Sequence, residues 1–553
     1  MKISNIFRDM ILILFVSIFL IACGGGSSSS SSKTGILVDD IVEGVYYKSE
    51  TTSGYTNSRG EFPFSNEKVE FFIGDIKIGE ISYLPADRLV FIQDILGLDR
   101  DNIIDDDVIN IAKLLQSIDS NPTTDEIEIT RVDFNKFINV QKDIEAIDVD
   151  DILTERGFVP KSKQDVQIHL SSSFTKYNNV TFDQEEKDYL YYQLHNNYLW
   201  SQNVEEKPYS QYTDPNQMID AFKYSTLDKW SYAETFNDYI KDGNQEERGF
   251  GCYFMGTPII TFIEIESPCE KAGFKRGDVL IQINNRDITN ESYSKAKENI
   301  GVEVTFNIVR NDERLDIRIT PQVYNYRLSK RYIYNSQYNK KVGYFIYNGF
   351  SSKSSDEIEE AFSYFKENEV DELIIDLRYN RGGSLAVASI LLDKIAGFKY
   401  EDELQFYLLD NENNVESEGH FMKDDNSLDL SRILFLTSED TASASELVIN
   451  ALKPYMDVVV IGDTTSGKPV GMKGKFTSSR YIYWLINFAI YNVNDEGEYY
   501  DGLDPNCFVY DNVSSSRGDI EESLLNSALY YIENDTCSYG NYLQSGRFTI
   551  FSR

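Results

Sequence analysis

Ser443, Ser445 and Lys468 are the residues of this 553-residue chain whose types and spacing promise chemistry. The serines lie in Thr441-Ala442-Ser443-Ala444-Ser445-Glu446, between an apolar run at 433–436 and a helix-like run at 447–452. Lys468 stands twenty-five residues beyond Ser443, in Thr464-Thr465-Ser466-Gly467-Lys468, after a second apolar run at 458–461. Each polar loop follows a strand, and in an α/β sheet such loops converge on one edge. A serine at a helix N-terminus faces unpaired N–H groups and the positive end of the helix dipole. Both stabilise negative charge on an attacked carbonyl. A lysine kept neutral by burial takes the serine's proton. The same residues also read as a turn capping a helix, with Ser443 or Ser445 as N-cap and Lys468 on the surface.

Other chemistries have less support. The three histidines, His169, His195 and His420, share no motif with Ser443. The cysteines show no close paired spacing and no H-E-x-x-H occurs, so metal chemistry has little support, and serine–lysine chemistry implies no organic cofactor.

Two more blocks precede the serine loop. One is Ser267-Pro268-Cys269-Glu270-Lys271-Ala272-Gly273-Phe274-Lys275-Arg276-Gly277-Asp278-Val279-Leu280. The other is Ile374-Ile375-Asp376-Leu377-Arg378-Tyr379-Asn380-Arg381-Gly382-Gly383. With the serine block and Gly467-Lys468-Pro469-Val470-Gly471, in this order, residues 185–535 resemble the C-terminal-processing (tail-specific) serine peptidases, which use a Ser–Lys dyad.

The resemblance implies roles. Ser443 matches the nucleophile and Lys468 the general base. Ala444 N–H would form one side of an oxyanion hole and Gly382 or Gly383 the other, since a residue without Cβ lets backbone approach a substrate. The first block looks like part of a PDZ domain, whose Gly249-Phe250-Gly251 would receive a peptide's terminal carboxylate while the peptide adds a strand to the sheet edge. The bland reading of that loop is a hairpin glycine pair. Asp376 and Arg378 are expected to brace the glycine loop. One position departs from the pattern: many members carry Gln four residues after the lysine, where this chain has Met472, which cannot orient an amine. Either another group orients Lys468, or the dyad works alone, or activity is weakened.

The N-terminus reads as a secretion signal: Lys2 and Arg8, then an apolar stretch at 10–21 too short for a comfortable membrane span. Leu20-Ile21-Ala22-Cys23 resembles a bacterial lipoprotein cleavage motif, with Cys23 as the lipidated first residue and 23–32, rich in Gly and Ser, as a tether. This implies a lipid-anchored protein of the cell envelope, facing the periplasm or cell surface, and in a Gram-negative cell the Gly after Cys23 points to the outer membrane. Four cysteines then remain. In an exported chain an even count favours disulfides, and local pairing gives Cys252 with Cys269 and Cys507 with Cys537. The net charge of −37 repels nucleic acid and anionic headgroups, so no nucleic-acid partner is expected.

These readings combine into a multidomain α/β chain. The boundaries are a signal at 1–22, lipidated Cys and tether at 23–32, a β-rich N-terminal module at 33–175, a helical segment at 185–244, a PDZ-like domain at 245–323 and a mixed α/β Ser–Lys peptidase domain at 324–540. In the first module, Asp105-Asp106-Asp107 reads as a solvated loop or helix start, without a complete EF-hand loop. The expected activity is cleavage of proteins or peptides through an acyl-enzyme, the substrate being captured by its C-terminal tail. The alternative, argued from Met472, is a catalytically silent PDZ-type peptide-binding lipoprotein.

Overall fold

The computed structural model describes residues 33–538, apart from 101, 123, 125, 141, 179–181, 236–245, 255–257, 336–339, 476–480 and 514. The signal sequence, Cys23 and the tether lie outside the described residues. The described chain divides into two compact units, residues 33–98 with 117–158 and residues 99–116 with 159–538. Residue 175 lies inside the helix Lys163–Asn178, and the division falls earlier, after Phe158.

The first unit holds a three-stranded sheet ordered Glu61–Phe64, Lys33–Val38, Leu89–Phe91, and a five-stranded one centred on Val69–Ile73. In Val69–Ile73 the odd-numbered residues are buried and Glu70 and Phe72 are not, the period of two that a half-covered strand requires. In the second unit the acidic run proves to be a helix start: Asp106 opens the helix Asp106–Ser117, and Asp105 Oδ1 accepts from Asp107 N at 2.9 Å. Acidic side chains there complement the helix dipole.

The second unit continues with helices α1 (Gln184–Asn196) and α2 (Pro215–Phe222). The expected helical text ends sooner than residue 244, because Tyr232–Thr235 forms strand β1. Between 246 and 325 lie β2 (Glu246–Gly249), β3 (Cys252–Tyr253), β4 (Phe262–Ile263), α3 (Pro268–Ala272), β5 (Val279–Ile283), β6 (Arg286–Asp287), α4 (Asn290–Glu298), β7 (Val304–Arg310), β8 (Glu313–Ile319) and β9 (Gln322–Asn325). The sheet β6-β5-β7-β8 covers a core of Phe250, Ile260, Leu280, Phe306 and Ile308. Cys252 and Cys269 are disulfide-bonded, with Cα atoms 5.8 Å apart.

Downstream come β10 (Ser329–Asn335), β11 (Lys341–Tyr347), α5 (Ser354–Glu367), β12 (Glu372–Asp376), α6 (Leu385–Ala396), β13 (Leu404–Leu409), β14 (Val415–His420) and β15 (Arg432–Thr437). They are followed by α7 (Ala444–Leu452), β16 (Asp457–Gly462), β17 (Val470–Lys475), β18 (Tyr481–Tyr491), β19 (Cys507–Phe508) and α8 (Ser523–Asn534). The main sheet runs β10-β11-β12-β15-β16-β19, parallel from β11 onward. Its central strands read Leu-Ile-Ile, Ile-Leu-Phe-Leu and Val-Val-Val-Ile because helices cover both faces. Ile375, Phe435 and Val460 pack with α5, α6 and α7 on one face. Ile374, Leu434 and Val459, one residue earlier on each strand, pack with α8 on the other. Cys507 of the edge strand is disulfide-bonded to Cys537, with Cα atoms 5.5 Å apart.

A second sheet orders β1-β18-β13-β14, with β17 also on β18. Leu190 and Leu194 of α1 and Met218, Ile219 and Phe222 of α2 pack on Tyr483, Leu485 and Ile486 of β18. The aromatic helical segment is thus core for this sheet.

Candidate active site

Three loops at the C-terminal ends of β12, β15 and β16 meet, as parallel strands of one sheet allow. Asn380, fully buried, sews the first two together. Its carbonyl accepts from Ala442 N at 3.1 Å and Ser445 Oγ at 3.0 Å, its Oδ1 accepts from Gly382 N at 2.9 Å, and its Nδ2 donates to Tyr347 O at 2.9 Å. The third loop joins through Ser466 N, which donates to Thr441 O at 2.9 Å.

Ser443 stands at the N-cap of α7 with φ +57° and ψ −117°. Such backbone is unfavourable for a residue with a Cβ, by about 1–3 kcal/mol, and persists only where the surroundings impose it. Glu446 imposes it. This carboxylate has no exposed surface; its Oε2 accepts from Ser443 N and Lys468 N, each at 2.8 Å, and its Oε1 accepts from Gly467 N at 2.7 Å and Thr465 Oγ1 at 2.6 Å. Burial pushes its pKa up while these four donors pull it down. Ser445 is buried with its hydroxyl committed to Asn380, whereas Ser443 lines an open cleft.

That cleft, about 660 Å³, also contains Lys468, Gly383 and Met472, with apolar walls from Leu385, Leu408, Trp484 and Phe488. Burial lowers the Lys468 amine from 10.5 to about 8, against the opposing pull of Asp228 and Glu446. Among the described residues no carboxylate comes within ion-pair distance of Lys468 Nζ; the ammonium position lies 5.8 Å from the centre of the Trp230 ring. Asp228 is itself held by Tyr198 Oη at 2.7 Å and by the N–H groups of Trp230 and Ser231, each at 2.9 Å. Met472 contributes a thioether to the wall and no strong acceptor.

The glycine loop lies against the serine turn. A Cβ on Gly382, which has φ +96°, would fall 2.8 Å from both Ala444 N and Ser443 Cβ. Gly382 N–H is spent on Asn380, whereas no acceptor among the described residues takes the N–H of Gly383. Behind the loop, Arg378 has no exposed surface and forks onto Asp376 and Glu522, with Nη2–Oδ2 and Nη1–Oε1 distances of 2.7 and 2.8 Å. Asp511 adds a contact to Arg378 at 3.4 Å and pairs with Arg276 of the 246–325 region at 2.7 Å. Arg276 also donates to Tyr379 Oη at 2.9 Å. Gly249, Phe250 and Gly251 lie outside the cleft, at the end of β2, with the Phe250 ring in the core of their own region.

Residues 341–508 match the family model for Peptidase family S41. These residues form an S41 peptidase domain. The chain is 27% identical over 214 residues to a Staphylococcus aureus protein named "Probable CtpA-like serine protease", the match covering 37% of this chain and 40% of that one. A Staphylococcus saprophyticus protein of the same name is 27% identical over 236 residues, 39% of this chain and 45% of its own. The chain therefore spans less than half the length of these curated relatives. A crystal structure of a chain provisionally assigned as an S41 protease from Bacteroides fragilis NCTC 9343 superposes with a TM-score of 0.56 at 24% identity, over 63% of this chain and 97% of that one. This likeness establishes the shared fold.

The S41 domain brings Ser443, Ala444, Gly382, Gly383 and Lys468 to one place. Sequence reading missed Glu446, Asn380, Asp228 and Trp230 as parts of it. Only Glu446 carried a local signal, since Ser443-x-x-Glu446 has the spacing of a capping box. Asp228 and Trp230 precede the S41 domain by more than a hundred residues and reach Lys468 only through folding.

Proposed function

We propose that this chain is a serine endopeptidase that cuts proteins or peptides through an acyl-enzyme on Ser443. The observation that carries the reading is the shared cleft of Ser443 and a lysine whose amine burial brings to about 8. Neutral Lys468 takes the Ser443 Oγ proton as the oxygen attacks the scissile carbonyl carbon. The resulting oxyanion is held by Ala444 N–H at the head of α7 and by Gly383 N–H, the glycine donor not already engaged. Lys468 then passes its proton to the leaving amine, and water releases the acyl group. Trp230 and Asp228 take over the orienting and electrostatic work that Met472 cannot do.

Residues 245–323 act in this reading as a PDZ-like domain that recognises substrate C-terminal tails at Gly249-Phe250-Gly251. Cys23 carries lipid that anchors the protein in the cell envelope, and 33–175 serves as a spacer or docking module. Purified protein and its Ser443→Ala variant, incubated with an unfolded protein substrate, test the assignment. Wild-type cleavage with a silent variant is expected. No cleavage by either would leave a peptide-binding lipoprotein.

A further inference from the structure

A second site lies on α4, and its assignment rests on tail recognition by residues 245–323. Strand β3 offers an edge of known polarity. Gly251 O accepts from Glu264 N at 3.0 Å and Tyr253 O accepts from Thr261 N at 2.9 Å, so both residues turn their backbone toward β4. Alternation then points the Cys252 carbonyl to the opposite, outer edge, where an added strand would pair. That carbonyl is already occupied: Tyr293 Oη, from α4, donates to it at 3.0 Å. The Tyr293 ring packs against Phe254 and Phe250, with centroids 4.7 and 5.7 Å apart.

One turn further along α4, Lys297 lies against the glycine pair. Gly249 has φ +123°, and a Cβ there would fall 2.4 Å from Lys297 Cγ and 2.8 Å from its Cε. Among the described residues Lys297 makes no ion pair within 4 Å, in a chain whose net charge is −37, although its charge acts on the buried Glu264 carboxyl. The nearby buried carboxyl, Glu264, is taken by Tyr253 Oη at 2.7 Å and by Tyr324.

We infer that α4 both recognises and guards this edge: Lys297 receives the terminal carboxylate of a protein tail, and the Tyr293 hydroxyl caps the Cys252 carbonyl until the tail's backbone N–H displaces it. A single helix therefore supplies the attraction for a free C-terminus and the barrier to an internal segment. An internal strand brings no carboxylate for Lys297, yet must still evict Tyr293. Tails with an apolar last residue are favoured, because that side chain meets the Phe250 and Phe254 rings that Tyr293 leaves.

The test uses the full chain carrying Ser443→Ala and a fluorescein-labelled octapeptide ending in Leu, with a free or an amidated C-terminus, read by anisotropy. Tyr293→Phe, which keeps the ring and removes the competing hydrogen bond, should tighten the free tail by about three- to tenfold. Lys297→Met should weaken it by a similar factor or more and abolish the preference for free over amidated peptide, while Lys297→Arg should retain that preference. Unchanged affinity in Tyr293→Phe, together with a free-over-amidated preference that persists in Lys297→Met, would overturn the role of α4 and leave tail recognition standing. Equal binding of the two peptides by the parent protein would remove tail recognition itself, and the role of α4 with it.

Discussion

Ser443 and Lys468 are joined through one oxygen atom: Glu446 Oε2 accepts the backbone N–H of each at 2.8 Å. The two members of the proposed dyad, from loops after different strands, thus share a buried acceptor that fixes their spacing before any substrate arrives.

Replacing that acceptor should therefore harm both fold and function. Glu446→Ala leaves the N–H groups of Ser443, Gly467 and Lys468 buried without a partner, each worth about 1–3 kcal/mol. We expect a lower urea midpoint and a fall in kcat of about a hundredfold or more. Glu446→Gln, which retains one acceptor oxygen, should fall between. Wild-type kcat in Glu446→Ala would show that the shared oxygen does not position the dyad.

Ser443→Ala and Lys468→Ala should each lower peptide hydrolysis by about 10³-fold or more, and the double variant should be little worse, because groups acting as a unit are not additive. Ser445→Ala should keep most activity and cost about 1 kcal/mol of stability, the value of its hydrogen bond to Asn380. The opposite pattern in peptide hydrolysis would transfer the nucleophile to Ser445.

Activity should follow the free amine of Lys468. Since burial places that amine near 8, kcat/KM should rise about tenfold per pH unit below this value and level off above it. Lys468→Arg should be inactive at every pH, because a guanidinium stays protonated. A profile that is flat from pH 6 to 9 would remove the lysine from proton transfer.

Arg378→Met leaves Asp376 and Glu522 buried without their cation, a change worth about 3–5 kcal/mol of stability in urea unfolding. Burial raises the Asp376 pKa, but Arg378, helped by Arg517 and the Tyr344 hydroxyl, offsets this and holds it below its ordinary value. A carboxyl depressed in the folded state stabilises fully above its unfolded pKa and loses that contribution as pH falls through the folded value. Wild-type stability should therefore decline in acid, and Arg378→Met should lose this part of the decline.

No helix among the described residues is long and apolar enough to cross a membrane. On the proposal that lipid on Cys23 is the anchor, Cys23→Ser should appear in the soluble fraction once its signal is removed. Unchanged recovery with membranes, with cleavage of the signal verified, would point to a protein partner instead.

Much of the α/β core was readable because its strands are short apolar runs, each followed by a polar loop and then a helix. Residues 433–436, 447–452 and 458–461 needed only local pattern to be assigned. The serine turn was readable for the same reason, since its residue types and the lysine spacing lie within one stretch. Glu446 was harder: its helical position suggests a cap for Ser443, and nothing local reveals that Thr465, Gly467 and Lys468 share it. Strand β1 was missed because Tyr-Ala-Glu-Thr has no strong strand signal alone; it is extended by pairing with β18, with Tyr232 opposite Trp484. Asp228 and Trp230 escaped notice because their effect on Lys468 exists only in three dimensions.

Strand β18 pairs with β17, just beyond Lys468, and with β1, just beyond Asp228 and Trp230. The borders of the matched segment, 341–508, are consequently not the borders of the chemistry. A fragment trimmed to those borders would retain serine, lysine and glycine loop, yet lose strand β1, Asp228 and the Trp230 ring whose centre lies 5.8 Å from the Lys468 amine. In the proposed mechanism, their loss would alter both the burial that lowers the amine and the Asp228 charge that opposes it. The surroundings of the proposed base thus depend on upstream sequence, which any attempt to transplant this segment into another protein would have to carry along.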